Sequence, residues 1–166
     1  MDPTDDARTA FHHLIRPIDY PMFVVTVATE DELAGCLIGF TTQASIDPPR
    51  QIVCLSEKNR TFRVASSADH LALHFLNDSN HDLARLFGEE TGDDTDKFNR
   101  CEWRTGPGGV PVIPGTNGWV VLRIIHRSDG GDHRAHLGDV VAAEHEADRP
   151  PLTFQAVRHL DPGHDP

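Results

Sequence analysis

Gly35-Cys36-Leu37-Ile38-Gly39-Phe40-Thr41-Thr42-Gln43-Ala44-Ser45-Ile46-Asp47-Pro48-Pro49 runs through Arg50 into Gln51-Ile52-Val53-Cys54-Leu55-Ser56-Glu57-Lys58-Asn59-Arg60-Thr61. The order predicts a strand over 35–40, a polar loop of hydroxyl and amide side chains over 41–47, and a rigid turn at Pro48-Pro49. A second strand over 51–55 and a small basic cluster beside Thr61 follow. Two consecutive prolines lack backbone donors and fix φ, so they belong at a turn or strand start and hold the preceding loop in shape.

Outward from this stretch the pattern is mostly β. Met22 to Ala28 is a β-branched run that reads as a strand buried on both faces, and Glu30-Asp31-Glu32 turns it into the strand from Gly35, a hairpin. Thr61 to Ser67 has the length of a short helix, with Asn59 or Thr61 as its cap. His70 to Leu76 alternates, placing Leu71, Leu73 and Phe75 on one face. Asn80 to Gly88 carries Leu83, Leu86 and Phe87 at helical spacing and is expected to stop at its glycine.

Glu89 to Lys97 is an acidic loop, and Phe98 to Gly109 is irregular and turn-rich. The acidic spacing lacks the order of a calcium-binding EF-hand, which leaves a solvated loop as the reading. Trp119 to His126 is a strand that turns at Ser128-Asp129-Gly130-Gly131-Asp132 and resumes from His133 to Ala143. The chain divides into an acidic N-terminal tail (1–10), one folded domain (11–148) and a Pro-rich C-terminal tail (149–166). Part of that last tail can pack as an edge, with disorder expected in its last few residues.

Composition bounds the rest. A chain of 166 residues suffices for one domain that buries roughly two-thirds of its unfolded surface without a metal or disulfide. Three cysteines without CxxC spacing, two of them (Cys36, Cys54) inside apolar runs, read as core thiols in a reducing cytoplasm. The first residues are acidic and lead into no signal-type core, and no apolar run reaches membrane-spanning length. A formal net charge of −11 argues against a nucleic-acid partner. It does not exclude a small anion, because one cation at about 4 Å contributes up to about 4 kcal/mol at an effective dielectric near 20, while diffuse repulsion is screened. The eleven histidines include adjacent His12-His13, and His74 and His81 lack a third ligand, so no metal site is expected.

Several short strands with small helices in one domain point to a closed or partly closed β-barrel. Segments 41–49, 55–61, 83–87, Gly131-Asp132-His133 and Gly138-Asp139-Val140, in this order behind Gly35, resemble the flavin reductase-like family of FMN-binding split barrels, over about Phe11 to Ala143. The resemblance implies a mostly β, Greek-key split barrel with a few short helices, and a homodimer holding one FMN (FAD in some relatives) per protomer near the interface. It implies an NAD(P)H:flavin oxidoreductase that passes hydride from NADH or NADPH to flavin, often for a partner monooxygenase. The alternatives are a flavin-binding electron carrier or ligand-binding module without strong NAD(P)H activity, or a related barrel using haem or deazaflavin.

The residues agree with a flat polar ring carrying a phosphate. Thr41, Thr42, Gln43, Ala44 and Ser45 offer hydroxyl, amide and backbone groups to ring carbonyls and N5. Ser56, Lys58, Asn59, Arg60 and Thr61 offer cations, hydroxyls and helix-start N–H groups to a phosphate. In the resembling family the histidine of the Gly-Asp-His turn, here His133, lies near the flavin and nicotinamide and would position them; the plainer reading is a hairpin histidine bonded to Asp132. Phe40 and Gln43 are larger than the family's usual residues here, and His136 takes an apolar strand position.

Overall fold

The computed structural model describes residues 3–163; the ends of both expected tails, including the C-terminal residues expected to be disordered, lie outside the described residues. Helix α1 (Pro3–Ile15) comes first, then strands β1 (Phe23–Ala28), β2 (Leu33–Ile38), β3 (Thr41–Ser45) and β4 (Arg50–Ser56). Helix α2 (Arg60–Ala65), β5 (His70–Phe75) and α3 (His81–Glu89) follow. The short pair β6 (Arg104–Thr105) and β7 (Pro111–Val112) precedes the long β8 (Gly118–Asp129) and β9 (His133–His145), and α4 (Phe154–Val157) is the last element among the described residues.

Seven strands form one antiparallel sheet in the order β2-β1-β5-β8-β9-β4-β3. Side chains from β2 at one edge (Ala34, Cys36, Ile38) and from β4 near the other (Val53, Leu55) share a single core cluster with Val25, Leu71, Leu73 and Leu122. Alternate residues of both ends can meet only if the sheet curls around them, which is the partly closed barrel expected. β1 is buried on both faces as its β-branched run predicts: Val25 and Val27 enter that core, and Val24 joins a second cluster under α3.

Four local expectations need revision or extension. Thr41–Ser45 is an edge strand rather than a loop, paired with β4 at Thr41↔Val53 and Gln43↔Gln51, with a bulge before Ser45. Its polar side chains hid the strand because only its pairing, and no buried apolar row, defines it. Gly88 lies inside α3 and does not cap it; a Cβ there would come within 2.9 Å of Leu37, so glycine permits the helix to approach β2. Residues 3–15 are helical, with Asp5 and Asp6 in the first turn where the helix dipole favours them. Finally, the C-terminal segment packs: Leu152 and Val157 are buried in the second cluster, and Phe154 stacks on Tyr20 at 4.9 Å.

His74 stitches the two layers. Its ring is fully buried, Nδ1 donates to the Val24 carbonyl at 2.9 Å, and Nε2 accepts from the Ile113 N–H at 3.0 Å. Both nitrogens are thereby consumed, and burial lowers its pKa to about 4, so the imidazole is neutral. No helix is long and apolar enough to cross a membrane among the described residues.

Candidate functional site

β4 and β9 run side by side, with Ser56 opposite His133, Cys54 opposite Ala135, Ile52 opposite Leu137 and Arg50 opposite Asp139. On β4 the alternate residues Val53 and Leu55 are completely buried, so Ile52, Cys54 and Ser56 face outward. His133 starts β9 at the end of this outward row. The Phe40 ring, just before β3, lies 5.2 Å from the His133 ring, and the Phe40 carbonyl accepts from the Cys54 N–H at 2.9 Å. The fold thus joins the stretch that opened the sequence to a turn more than ninety residues later.

The turn after β4 is fastened to the β8–β9 hairpin. Glu57 N–H donates to the Asp132 carbonyl at 3.1 Å, and Arg134 pairs with both Glu57 and Asp129 at 2.5 Å. His133 Nδ1 and Asp132 Oδ1 are 2.7 Å apart. That bond first, then the His133 charge and with Lys58 contributing, holds the Asp132 carboxyl below its ordinary value. Asn59 caps α2, its Oδ1 accepting from the Thr61 N–H at 3.2 Å. The plain hairpin contact to Asp132 and the position beside Phe40 therefore coexist in one histidine.

The predicted residues do not all converge. Ser56, Lys58 and His133 gather at the hairpin, with Thr42, Gln43 and Ala44 exposed on the neighbouring edge strand. Thr41 is tied inward, donating to the Ile52 carbonyl at 2.6 Å and accepting from Gln51 Nε2 at 2.7 Å. Gln43 Nε2 reaches the Ser45 carbonyl at 3.3 Å. Arg60 is engaged with the acidic loop, bonding the Gly92 carbonyl at 2.5 Å and Glu32 at 3.3 Å.

Thr61 is only 1% exposed, and its hydroxyl has no nitrogen or oxygen partner among the described residues. It sits with the Cys36 thiol, whose pKa burial raises against the opposing effects of Thr61, Lys97 and Asn59. Of the phosphate set, the Thr61 side chain belongs to the core side of α2. Gln51, Glu57 and Arg134, which the sequence reading did not single out, hold Thr41 and the Ser56–Lys58 turn in place. Their partners lie up to 77 residues away, so no local pattern marks them.

The acidic loop is fastened too: Arg63 Nη2 donates to both carboxylate oxygens of Asp93 at 2.6 and 2.8 Å, and Arg100 pairs with Glu90. Lys97 is 4% exposed and donates to the Gly35 and Phe87 carbonyls at 3.1 and 3.3 Å, with burial holding its ammonium below the ordinary value. Two concavities open elsewhere, one beside Leu83, Leu86 and Cys101, the other beside Glu30, Asp69 and His70. The Phe40–His133 site is instead an open ledge at the sheet surface.

Known proteins give this ledge a context. The family model described as "Flavin reductase like domain" matches residues 15–162. The FMN reductase (NADH) SmoA of Agrobacterium fabrum is 28% identical over 152 residues, covering 92% of this chain and 84% of that protein. The stachydrine N-demethylase reductase subunit Stc3 of Rhizobium meliloti is 30% identical over 122 residues, covering 71% of this chain. The chain spans 52% of the length of Stc3, and 39% of another Rhizobium meliloti relative that is 32% identical over 124 residues. Among solved structures, the NADH:FAD oxidoreductase SgcE6 of Streptomyces globisporus superposes with a TM-score of 0.81 at 25% identity, covering 93% of this chain and 90% of that one. With the family model spanning the whole curled sheet and its C-terminal packing segment, the chain belongs to the flavin reductase like domain family.

Proposed function

We propose that this chain is an NAD(P)H:flavin oxidoreductase that uses FMN and works as a cytoplasmic homodimer, delivering reduced flavin to a monooxygenase. The observation that carries the reading is the convergence of Phe40, Ser56, Lys58 and His133 beside the exposed polar edge Thr42–Ala44, in a member of this family. The names of SmoA and Stc3 support the NADH-dependent reaction and the role of a reductase subunit.

The donor set fits a flavin mononucleotide. The β3 edge offers backbone and amide groups for the ring, and the turn from Ser56 to Asn59 offers the Ser56 hydroxyl and the Lys58 ammonium to a phosphate, the Glu57 and Asn59 N–H groups being taken by the Asp132 and Ser56 carbonyls. The Arg60 guanidinium has five N–H donors, more than Gly92 and Glu32 use. Bound flavin supplies the two-electron acceptor for hydride. Phe40 and His133 would form a wall beside the nicotinamide, and Asp132 orients the His133 ring through Nδ1. His133 is a positioning residue in this scheme, since hydride transfer needs no protein base.

Titrating purified protein with FMN, FAD and riboflavin, then following NADH and NADPH oxidation, tests the reading. Flavin binding with nucleotide oxidation that requires flavin is expected. Tight flavin binding without nucleotide oxidation would establish an electron carrier instead, and absence of flavin binding would refute both.

A further inference from the structure

Arg60 serves two distant segments at once. Its guanidinium donates to the Gly92 carbonyl of the acidic loop at 2.5 Å and to Glu32, in the turn between β1 and β2, at 3.3 Å. The Gly92 backbone lies against the arginine stem, where a Cβ would come within 3.2 Å of Cδ. Further along α2, Arg63 fastens Asp93 at 2.6 Å. That bond first, and the charges of Arg63 and Arg60 with it, hold the Asp93 carboxyl below its ordinary value against the opposing effect of burial.

Each cation of the phosphate set therefore already faces carboxylates. The charge of Lys58 acts on Asp132 of the β8–β9 hairpin, and that of Arg60 acts on Glu32 and Asp93. A phosphomonoester carries a charge of about −1.5 to −2 near neutrality and would be a further anion around the Arg60 guanidinium. To bond it, Arg60 must turn donors away from Glu32 and Gly92 or hold like charges close together. Either course subtracts from the affinity.

We propose that Glu32 and the acidic loop act through Arg60 to hold down the affinity for the flavin phosphate, so that flavin leaves after reduction instead of staying resident. This rests on the flavin reading above and names a regulation of that same site. The penalty follows the charge of the ligand's phosphate: none for riboflavin, intermediate for the singly charged phosphodiester of FAD, and largest for FMN. By linkage, a phosphate that draws on Arg60 loosens its hold on the loop by the same free energy. Gly92 and Glu32 are thus specificity-determining positions that need not touch the flavin.

Flavin fluorescence titration of the full chain tests it, using Glu32→Gln, Asp93→Asn and the two combined. Glu32→Gln keeps the side-chain length and an accepting oxygen and removes only the charge. Glu32 is half exposed, so FMN should bind this variant about two- to fivefold more tightly, with a larger gain for the pair. The gain should be smaller for FAD and absent for riboflavin. It should shrink in about 1 M salt and in an Arg60→Ala background. Unchanged or weaker FMN binding by the variants would overturn the proposal while leaving the flavin reading intact. Equal gains for all three flavins would overturn it too, since charge would not be the cause, and so would a gain that persists in full without Arg60. Wild-type protein that binds no flavin would overturn the flavin reading as well.

Discussion

Replacing His74 by leucine should flatten the acid limb of this protein's stability curve. Folding holds the imidazole neutral, its pKa lowered from 6.5 to about 4 chiefly by burial, with the Val24 carbonyl opposing the shift. The unfolded chain therefore binds this proton more readily than the folded chain. Stability from the neutral ring is fully present above the unfolded value and is lost as pH falls from about 6.5 towards about 4. The whole gap is worth about 3 kcal/mol, of which about 2 kcal/mol is lost between about pH 7 and about pH 4.5.

His74→Leu should cost about 2–4 kcal/mol near neutrality, because it leaves the buried Val24 carbonyl and Ile113 N–H without their partner. The difference between the two proteins should then shrink by about 2 kcal/mol at about pH 4.5, since the variant has no proton to take up there. His136, also lowered by burial, titrates in the same direction but is common to both proteins. Urea unfolding followed by tryptophan fluorescence at matched ionic strength measures this. Parallel stability curves for wild type and variant across that interval would refute the argument.

Three further outcomes are expected. Lys58→Ala together with Arg60→Ala should weaken FMN much more than riboflavin, which has no phosphate; equal losses by fluorescence titration would mean the basic cluster is misassigned. Lys97→Met should destabilise by about 1–3 kcal/mol in urea unfolding, because the Gly35 and Phe87 carbonyls lose a buried donor, and unchanged stability would contradict the structural role given to it. Gly35→Ala places a Cβ within 2.7 Å of the Phe87 ring and 2.9 Å of the Val25 carbonyl, so a loss of about 1–3 kcal/mol should appear as a lower Tm.

The sequence by itself determined what depends on neighbours along the chain. Short apolar and β-branched runs placed β1, β5, β8 and β9, because a strand packed against neighbours in the sheet selects such a run, continuous where both faces are buried as in β1 and β5. The cap at Asn59 was equally local, an oxygen reaching an N–H two residues on. The family could be read from ordered short segments for the same reason.

Only the tertiary structure decided the rest. β3 exists because β4 offers its polar residues a hydrogen-bonding edge, and nothing within Thr41–Ser45 encodes that. Thr61 turned its hydroxyl towards Cys36 because packing of α2 on the curled sheet, not helix propensity, sets which face is buried. Phe40 meets His133, and Arg134 holds Glu57, through sheet pairings between segments far apart in the chain. Local propensities act over a few bonds, whereas a binding ledge is assembled by contacts whose closure cost and packing gain are settled by the whole fold.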